Sequence, residues 1–115
     1  VRRGDIWLVD FEPVIGSEAA RTRPAVIVSN DGANTAAGRS VAGVVTVVPL
    51  TSNTARVFAF QVVLEPEDTG LRTASKAQAE QVRAVSVSRL VRQVGALPRS
   101  RMARLDDALR LHLSL

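Results

Sequence analysis

Cysteine and tyrosine are absent from the 115 residues, and histidine, lysine, methionine and tryptophan each occur once. Without cysteine there can be no disulfide, no thiolate nucleophile and no cysteine-based zinc site. A single histidine, His112, excludes a zinc site built from several histidines and a catalytic histidine pair. Neither a metal nor a cofactor is expected. The aromatic residues are Trp7, Phe11, Phe58 and Phe60 alone, too few for a platform of exposed rings on which many bases stack. No apolar run reaches transmembrane length, since the longest, Val41 to Leu50, is interrupted by Gly43, Thr46 and Pro49. The first residues, Val1-Arg2-Arg3-Gly4-Asp5, lead into a strand-like pattern with no apolar signal core, so no secretory leader and no membrane partner are expected. The lack of cysteine fits a reducing compartment, and a cytoplasmic location is the expectation.

What is present points to one packed domain spanning residues 1–115. Hydrophobic residues make up 46% of the chain and mean hydropathy is +0.11, which suits a buried core rather than disorder. Formal charge is +4, and every basic residue except Lys76 is arginine. Arginine forks match phosphate geometry, so a nucleic-acid partner fits. On charge alone the plainer reading is the stronger: arginine stands in for lysine through genomic base composition, as the many Ala, Val and Gly residues also suggest.

Hydrophobic periodicity divides the chain into many short strands and one late helix. Ile6 to Phe11 is β-rich, with Ile6, Leu8 and Asp10 on one face. Residues 12–22 form a loop with Pro13, Gly16 and Ser17. Arg23-Pro24 opens the apolar run Ala25 to Val28, short and continuous as a buried strand is. Asn30-Asp31-Gly32 carries turn chemistry, and the small, polar stretch to Ser40 reads as an exposed loop. Val41 to Leu50 is the strongest strand. Val57 to Leu64 is another, with Phe58, Phe60 and Val62 alternating. Pro66 to Gly70 is a turn, Ser75 to Val85 one or two short strands, Ser86 to Leu90 a helical turn and Val91 to Leu97 a last strand. After Pro98, Met102, Leu105, Leu109 and His112 or Leu113 recur at helical spacing. The predicted architecture is mainly β, a small, strongly bent barrel with a C-terminal α-helix.

Three polar features fall at strand ends, where loops held by a rigid sheet commonly carry sites. They are Gly16-Ser17-Glu18, Arg23 before Pro24, and Thr51-Ser52-Asn53 after Pro49. Taken singly, each has a plainer reading: Glu18 a solvated carboxylate, Arg23 a surface cation, Thr51 a turn residue whose hydroxyl bonds the backbone.

Together with their surroundings they resemble the MazF/PemK toxin family. The resemblance runs through Gly4 to Pro13, Gly16-Ser17-Glu18, Arg23 to Asn30, Val48-Pro49-Leu50-Thr51, Phe58 to Leu64 and Ala79 to Arg83, and includes the closing helix. It implies an SH3-like or CcdB-like barrel and a ribosome-independent, metal-independent endoribonuclease that cuts single-stranded RNA at short sequences. In that family the 2′-hydroxyl attacks, leaving a 2′,3′-cyclic phosphate and a 5′-hydroxyl. The resemblance also implies a homodimer silenced by a MazE-like antitoxin with an acidic tail. Glu18, Arg23 and Thr51 match the family's catalytic positions.

The chemistry of these side chains agrees. Glu18 can accept the 2′-hydroxyl proton. Arg23 can hold the charge of the phosphorane, and Thr51 can donate to a non-bridging oxygen. The leaving 5′-oxygen also needs a proton. Arginine is a poor acid, and a water, Arg21 or Arg23 could share that role. Some relatives carry histidine where this chain has Thr22, which weakens a mechanism requiring imidazole. Candidate RNA contacts are Ser17, Arg21, Ser52, Asn53, Arg56, Lys76 and Gln81. Glu80-Gln81 could equally be a polar pair on an edge strand. His112 reads as packing or surface.

Two rivals remain at this point. The same barrel hosts a non-enzymatic branch that blocks DNA gyrase through the terminal helix, and fold does not separate the two. A plain RNA-binding barrel would need exposed aromatics, which are scarce.

Overall fold

The computed structural model describes residues 1–11 and 21–115, with Arg21 described through its backbone alone. Most apolar runs of the sequence become strands. In chain order the strands are β1 (Asp5–Phe11), β2 (Arg21–Ile27), β3 (Val44–Thr51), β4 (Gln61–Leu64), β5 (Ser75–Gln78), β6 (Arg83–Ser86) and β7 (Leu90–Ala96). The helices are α1 (Asp31–Ala37), α2 (Pro66–Thr69) and α3 (Arg99–Leu113). Single 3-10 turns lie at Ala79–Gln81 and Val87–Arg89.

All described ladders are antiparallel and follow the order β4-β5-β3-β2-β1-β7, with β6 also on β3. β3 is the hub. Its first half pairs with β6, its last two residues pair with β5, and its other edge takes β2. The ends of this path, β4 and β7, are not paired with each other among the described residues. An antiparallel sheet with a C-terminal helix is therefore observed, and the described ladders stop short of a closed barrel.

Alternation along β2 and β3 fills two cores. Val26, Val48 and Leu50 join Ile6 and Leu64 under α3, which contributes Met102, Leu105 and Ala108. Ala25, Ile27, Val45 and Val47 join Val9, Val85 and Ala37 on the other face. Leu105 is fully buried; truncating such a residue to alanine costs about 2–5 kcal/mol. The helical stripe Met102, Leu105, Leu109 is thus core, with Leu109 at its edge.

β1 keeps the expected alternation. Ile6 enters the first core, and Val9, flanked by Trp7 and Phe11, enters the second. Against β7 the register shifts between Ile6 and Trp7 and between Leu8 and Val9.

Three local expectations are corrected. The predicted loop Asn30 to Ser40 contains α1: the Asn30 side chain accepts from the Ala33 N–H at 2.8 Å, a helix cap whose chemistry also reads as a turn. The predicted strand Val57 to Leu64 pairs only from Gln61. The predicted turn Pro66 to Gly70 is the short helix α2, closed by Gly70 at φ +78°. No described helix is long and apolar enough to cross a membrane.

Candidate active site

The β2–β3 ladder brings the candidate residues together. Its described pairs are Ala25 with Pro49, Val26 with Val48 and Ile27 with Val47. Continuing this register by two residues sets Arg23 opposite Thr51. The ladder begins immediately after Pro24, which has no N–H to give. Arg23 meanwhile stays fixed on its other edge by pairing with Val9. Thr51 is held from its own far side by pairing with Lys76.

Beyond the last rung lies a cleft of about 380 Å³. Arg23, Thr51, Ser52, Arg72, Thr73 and Ser75 supply its polar lining, and Pro24, Leu50 and Leu71 its apolar part. Arg23 and Arg72 are exposed and Thr51 is half-buried. Two arginines and four hydroxyl residues lining one space make an anion-binding cleft, suited to phosphate in charge.

Thr51 Oγ1 accepts from the Asn53 N–H at 3.2 Å, the turn role that its sequence position suggested. Its own O–H is not consumed by that bond, so the hydroxyl can still donate into the cleft. The Asn53 side chain accepts in turn from the Ala55 N–H at 3.3 Å, within the same loop.

Among the described side chains, the remaining candidates do not line this cleft. Lys76 is buried, and its ammonium donates to the Arg56 carbonyl at 2.5 Å, so it anchors the loop between β3 and β4. Arg56 is exposed on that loop, and Gln81 is exposed in the turn after β5. Arg21 pairs through its backbone with Phe11. Ser17 and Glu18 lie outside the described residues. His112 is exposed on α3, with its ring centroid 5.9 Å from that of Phe60.

Sequence reasoning missed Arg72 and Thr73. They follow α2 in a segment without periodicity. The only signal was an arginine just past the Pro66 to Gly70 turn. It also missed the buried pair in which Gln61 Nε2 donates to Glu80 Oε2 at 2.8 Å.

Residues 2–113 match the model of the PemK-like, MazF-like toxin of type II toxin–antitoxin systems. The chain is 54% identical to endoribonuclease MazF9 of Mycobacterium tuberculosis, over all of this chain and 98% of that protein. It is 34% identical to endoribonuclease MazF of Staphylococcus epidermidis, over all of this chain and 92% of that protein. A mycobacterial endoribonuclease solved in complex with its cognate antitoxin superposes with a TM-score of 0.76 at 26% identity, covering all of this chain and 96% of that one. The chain belongs to the PemK-like, MazF-like family of type II toxins.

Proposed function

We propose that this chain is a sequence-specific, ribosome-independent endoribonuclease toxin that cleaves single-stranded RNA, mRNA included. The observation that carries the reading is the meeting of Arg23 and Thr51 in one cationic cleft at the end of the β2–β3 ladder, in a chain whose relatives are named endoribonucleases. The gyrase-blocking alternative is disfavoured, because it has no need of such a cleft and the relatives' names are those of RNA-cleaving enzymes.

In this mechanism Glu18 removes the proton of the 2′-hydroxyl adjoining the scissile phosphate. The 2′-oxygen forms a bond to phosphorus, and the P–O5′ bond breaks. The electron pair leaves on the 5′-oxygen, which takes a proton from water or from Arg21. The products are a 2′,3′-cyclic phosphate and a 5′-hydroxyl, and no water is consumed in this step. Arg23 stabilises the charge on the phosphorane, and Thr51 donates to a non-bridging oxygen. Arg72 adds a second cation, and Ser52 reaches the same phosphate or its neighbour. Ser17, Asn53 and Gln81 are further candidate contacts to the RNA.

The same reading includes a single toxin domain over residues 1–115 and a sheet bent toward an SH3-like barrel. It also includes a homodimer, a cytoplasmic location and a cognate MazE-like antitoxin. The antitoxin's acidic tail would order on docking and fill the cationic cleft; a native complex that left Arg23 and Thr51 open would contradict this.

The test is cleavage of a long single-stranded RNA in excess EDTA by the wild type, Glu18→Ala and Arg23→Ala, with product ends mapped. Discrete cuts ending in cyclic phosphate from the wild type alone are expected. Intact RNA throughout, with loss of gyrase supercoiling on adding the protein, would replace this reading with the gyrase-blocking one.

A further inference from the structure

The loop between β3 and β4 holds an ordered stack of planar groups. Phe58 and Phe60 lie with ring centroids 5.4 Å apart and planes 6° from parallel. The Arg56 guanidinium carbon sits over the Phe58 ring, 5.4 Å from its centroid. His112 on α3 meets Phe60 at a tilt of 46° and ends the stack. Burial does not account for the arrangement, since Phe58 keeps 45% of its surface exposed and Arg56 is exposed as well.

The loop is also tied down. Lys76 Nζ donates to the Arg56 carbonyl, and the Phe58 N–H donates to Gln61 Oε1 at 3.1 Å. Gln61 is buried and is itself held by Glu80. Lys76 sits opposite Thr51 in the β3–β5 ladder, so one side chain links the stack to the strand that ends in the cleft.

We propose that Phe58 and Arg56 form a stacking shelf for one unpaired base of the RNA, next to the step cut in the cleft; this rests on the RNA-cleaving reading above. A guanidinium seated over an apolar ring suits a nucleobase, whose face stacks on the outer plane of the cation while the ring holds that plane in place. Scarcity of aromatics argues against a long platform but not against a single shelf, and two of the chain's three phenylalanines stand here. Lys76, Gln61 and Glu80 act as positioning residues that hold the shelf in register with Thr51.

The test measures binding of a mixed-sequence single-stranded oligodeoxynucleotide, which lacks the 2′-hydroxyl and is not cut. Variants are Phe58→Ala, Phe58→Leu, Phe58→Trp and Arg56→Ala. Alanine and leucine at position 58 should each weaken binding about tenfold or more, tryptophan should hold it, and the salt dependence should stay as in the wild type. Arg56→Ala should weaken binding as well. Leucine binding as tightly as phenylalanine, or a wild type that does not bind, would overturn the shelf. Cleavage of ordinary RNA in parallel separates the two readings. A wild type that cuts RNA while all position-58 variants bind alike removes only the shelf. A wild type that binds through Phe58 but cuts nothing removes only the nuclease.

Discussion

Replacing Thr51 by valine and by serine separates a turn residue from a catalytic one. The hydroxyl has two possible duties: it accepts from the Asn53 N–H at 3.2 Å, and its own hydrogen can reach a phosphate oxygen in the cleft. The first duty is minor in energy. The bond is long, and Asn53 is exposed, so water can take the place of the lost acceptor. Valine should therefore cost folding about 0.5–1 kcal/mol, a shift in Tm of a few degrees for a domain of this size. The second duty is larger, because a donor aimed at charge that develops in the transition state commonly contributes about 10²–10³ in kcat. Thr51→Val should then lower kcat/KM by about two orders of magnitude while unfolding only slightly earlier. Thr51→Ser keeps both the acceptor and the donor and should stay within about threefold of the wild type, the margin allowing for a freer rotamer. The assays are initial rates on a single cut site and thermal unfolding of each variant. If valine lowers Tm but leaves kcat/KM intact, Thr51 is a turn residue and its assignment to the phosphorane is wrong.

Other positions give independent checks. Arg72→Ala should weaken the Michaelis complex more than the chemical step, raising KM several-fold while Arg23→Ala lowers kcat; equal effects on both parameters from the two variants would remove the distinction. Gly95→Ala should destabilise the fold by about 1–3 kcal/mol, because a Cβ there would lie 2.1 Å from the Thr69 carbonyl oxygen where β7 passes α2; an unchanged urea midpoint would mean the backbones part readily. The Asp31 carboxylate is held below its ordinary value of 3.8, chiefly by the Arg3 backbone N–H, which desolvation opposes and the Asn34 side chain and the Arg2 and Arg3 charges reinforce. A depressed folded value means stability gained above 3.8 and lost as pH falls through the lower folded value. Asp31→Asn should therefore melt earlier than the wild type near neutral pH, and the gap should close in acid; a gap of constant size would show that charge is not its source.

The elements most legible in the sequence were those whose local pattern and tertiary environment agree. Ala25 to Ile27 and Val47 to Leu50 are apolar runs buried on both faces, and Met102 and Leu105 keep helical spacing under a sheet. Where one local pattern serves two structures, the reading failed. Asn30 and Asp31 have the composition of a turn, and only the Asn30 cap and the packing of Ala37 reveal a helix. The alternation of Phe58, Phe60 and Val62 looked like a strand, yet the two rings stack on each other ahead of the first paired residue, Gln61. Arg23 and Thr51 could be singled out by type and by resemblance, but not by proximity, because they meet only through the β2–β3 register. Arg72 needed the path of the chain after α2, which no local pattern encodes.

That register has to be fixed with care, because Arg23 and Thr51 face each other in one alignment only. A slip of a single residue would turn every side chain of a strand to the opposite face. In β2 and β3 both faces are apolar, so polarity alone punishes a slip weakly. The definite constraints sit at the far end of the ladder. Ser29 Oγ accepts from the Thr46 N–H at 3.1 Å and donates to Asn34 Oδ1, while Asn34 Nδ2 donates back to the Ser29 carbonyl at 2.9 Å. Asn34 is buried, so these polar groups have no water to turn to if the strands shift, and leaving one unpaired costs about 1–3 kcal/mol. The Val28 N–H donates to the Thr46 carbonyl at 2.9 Å, and the Gly4 N–H donates to the Ile27 carbonyl at 2.8 Å, which locks β2 to its neighbours on both sides. Helix α1, the element whose sequence looked most like loop, thus supplies the side chain that aligns β3 with β2, and through that alignment sets Thr51 beside Arg23.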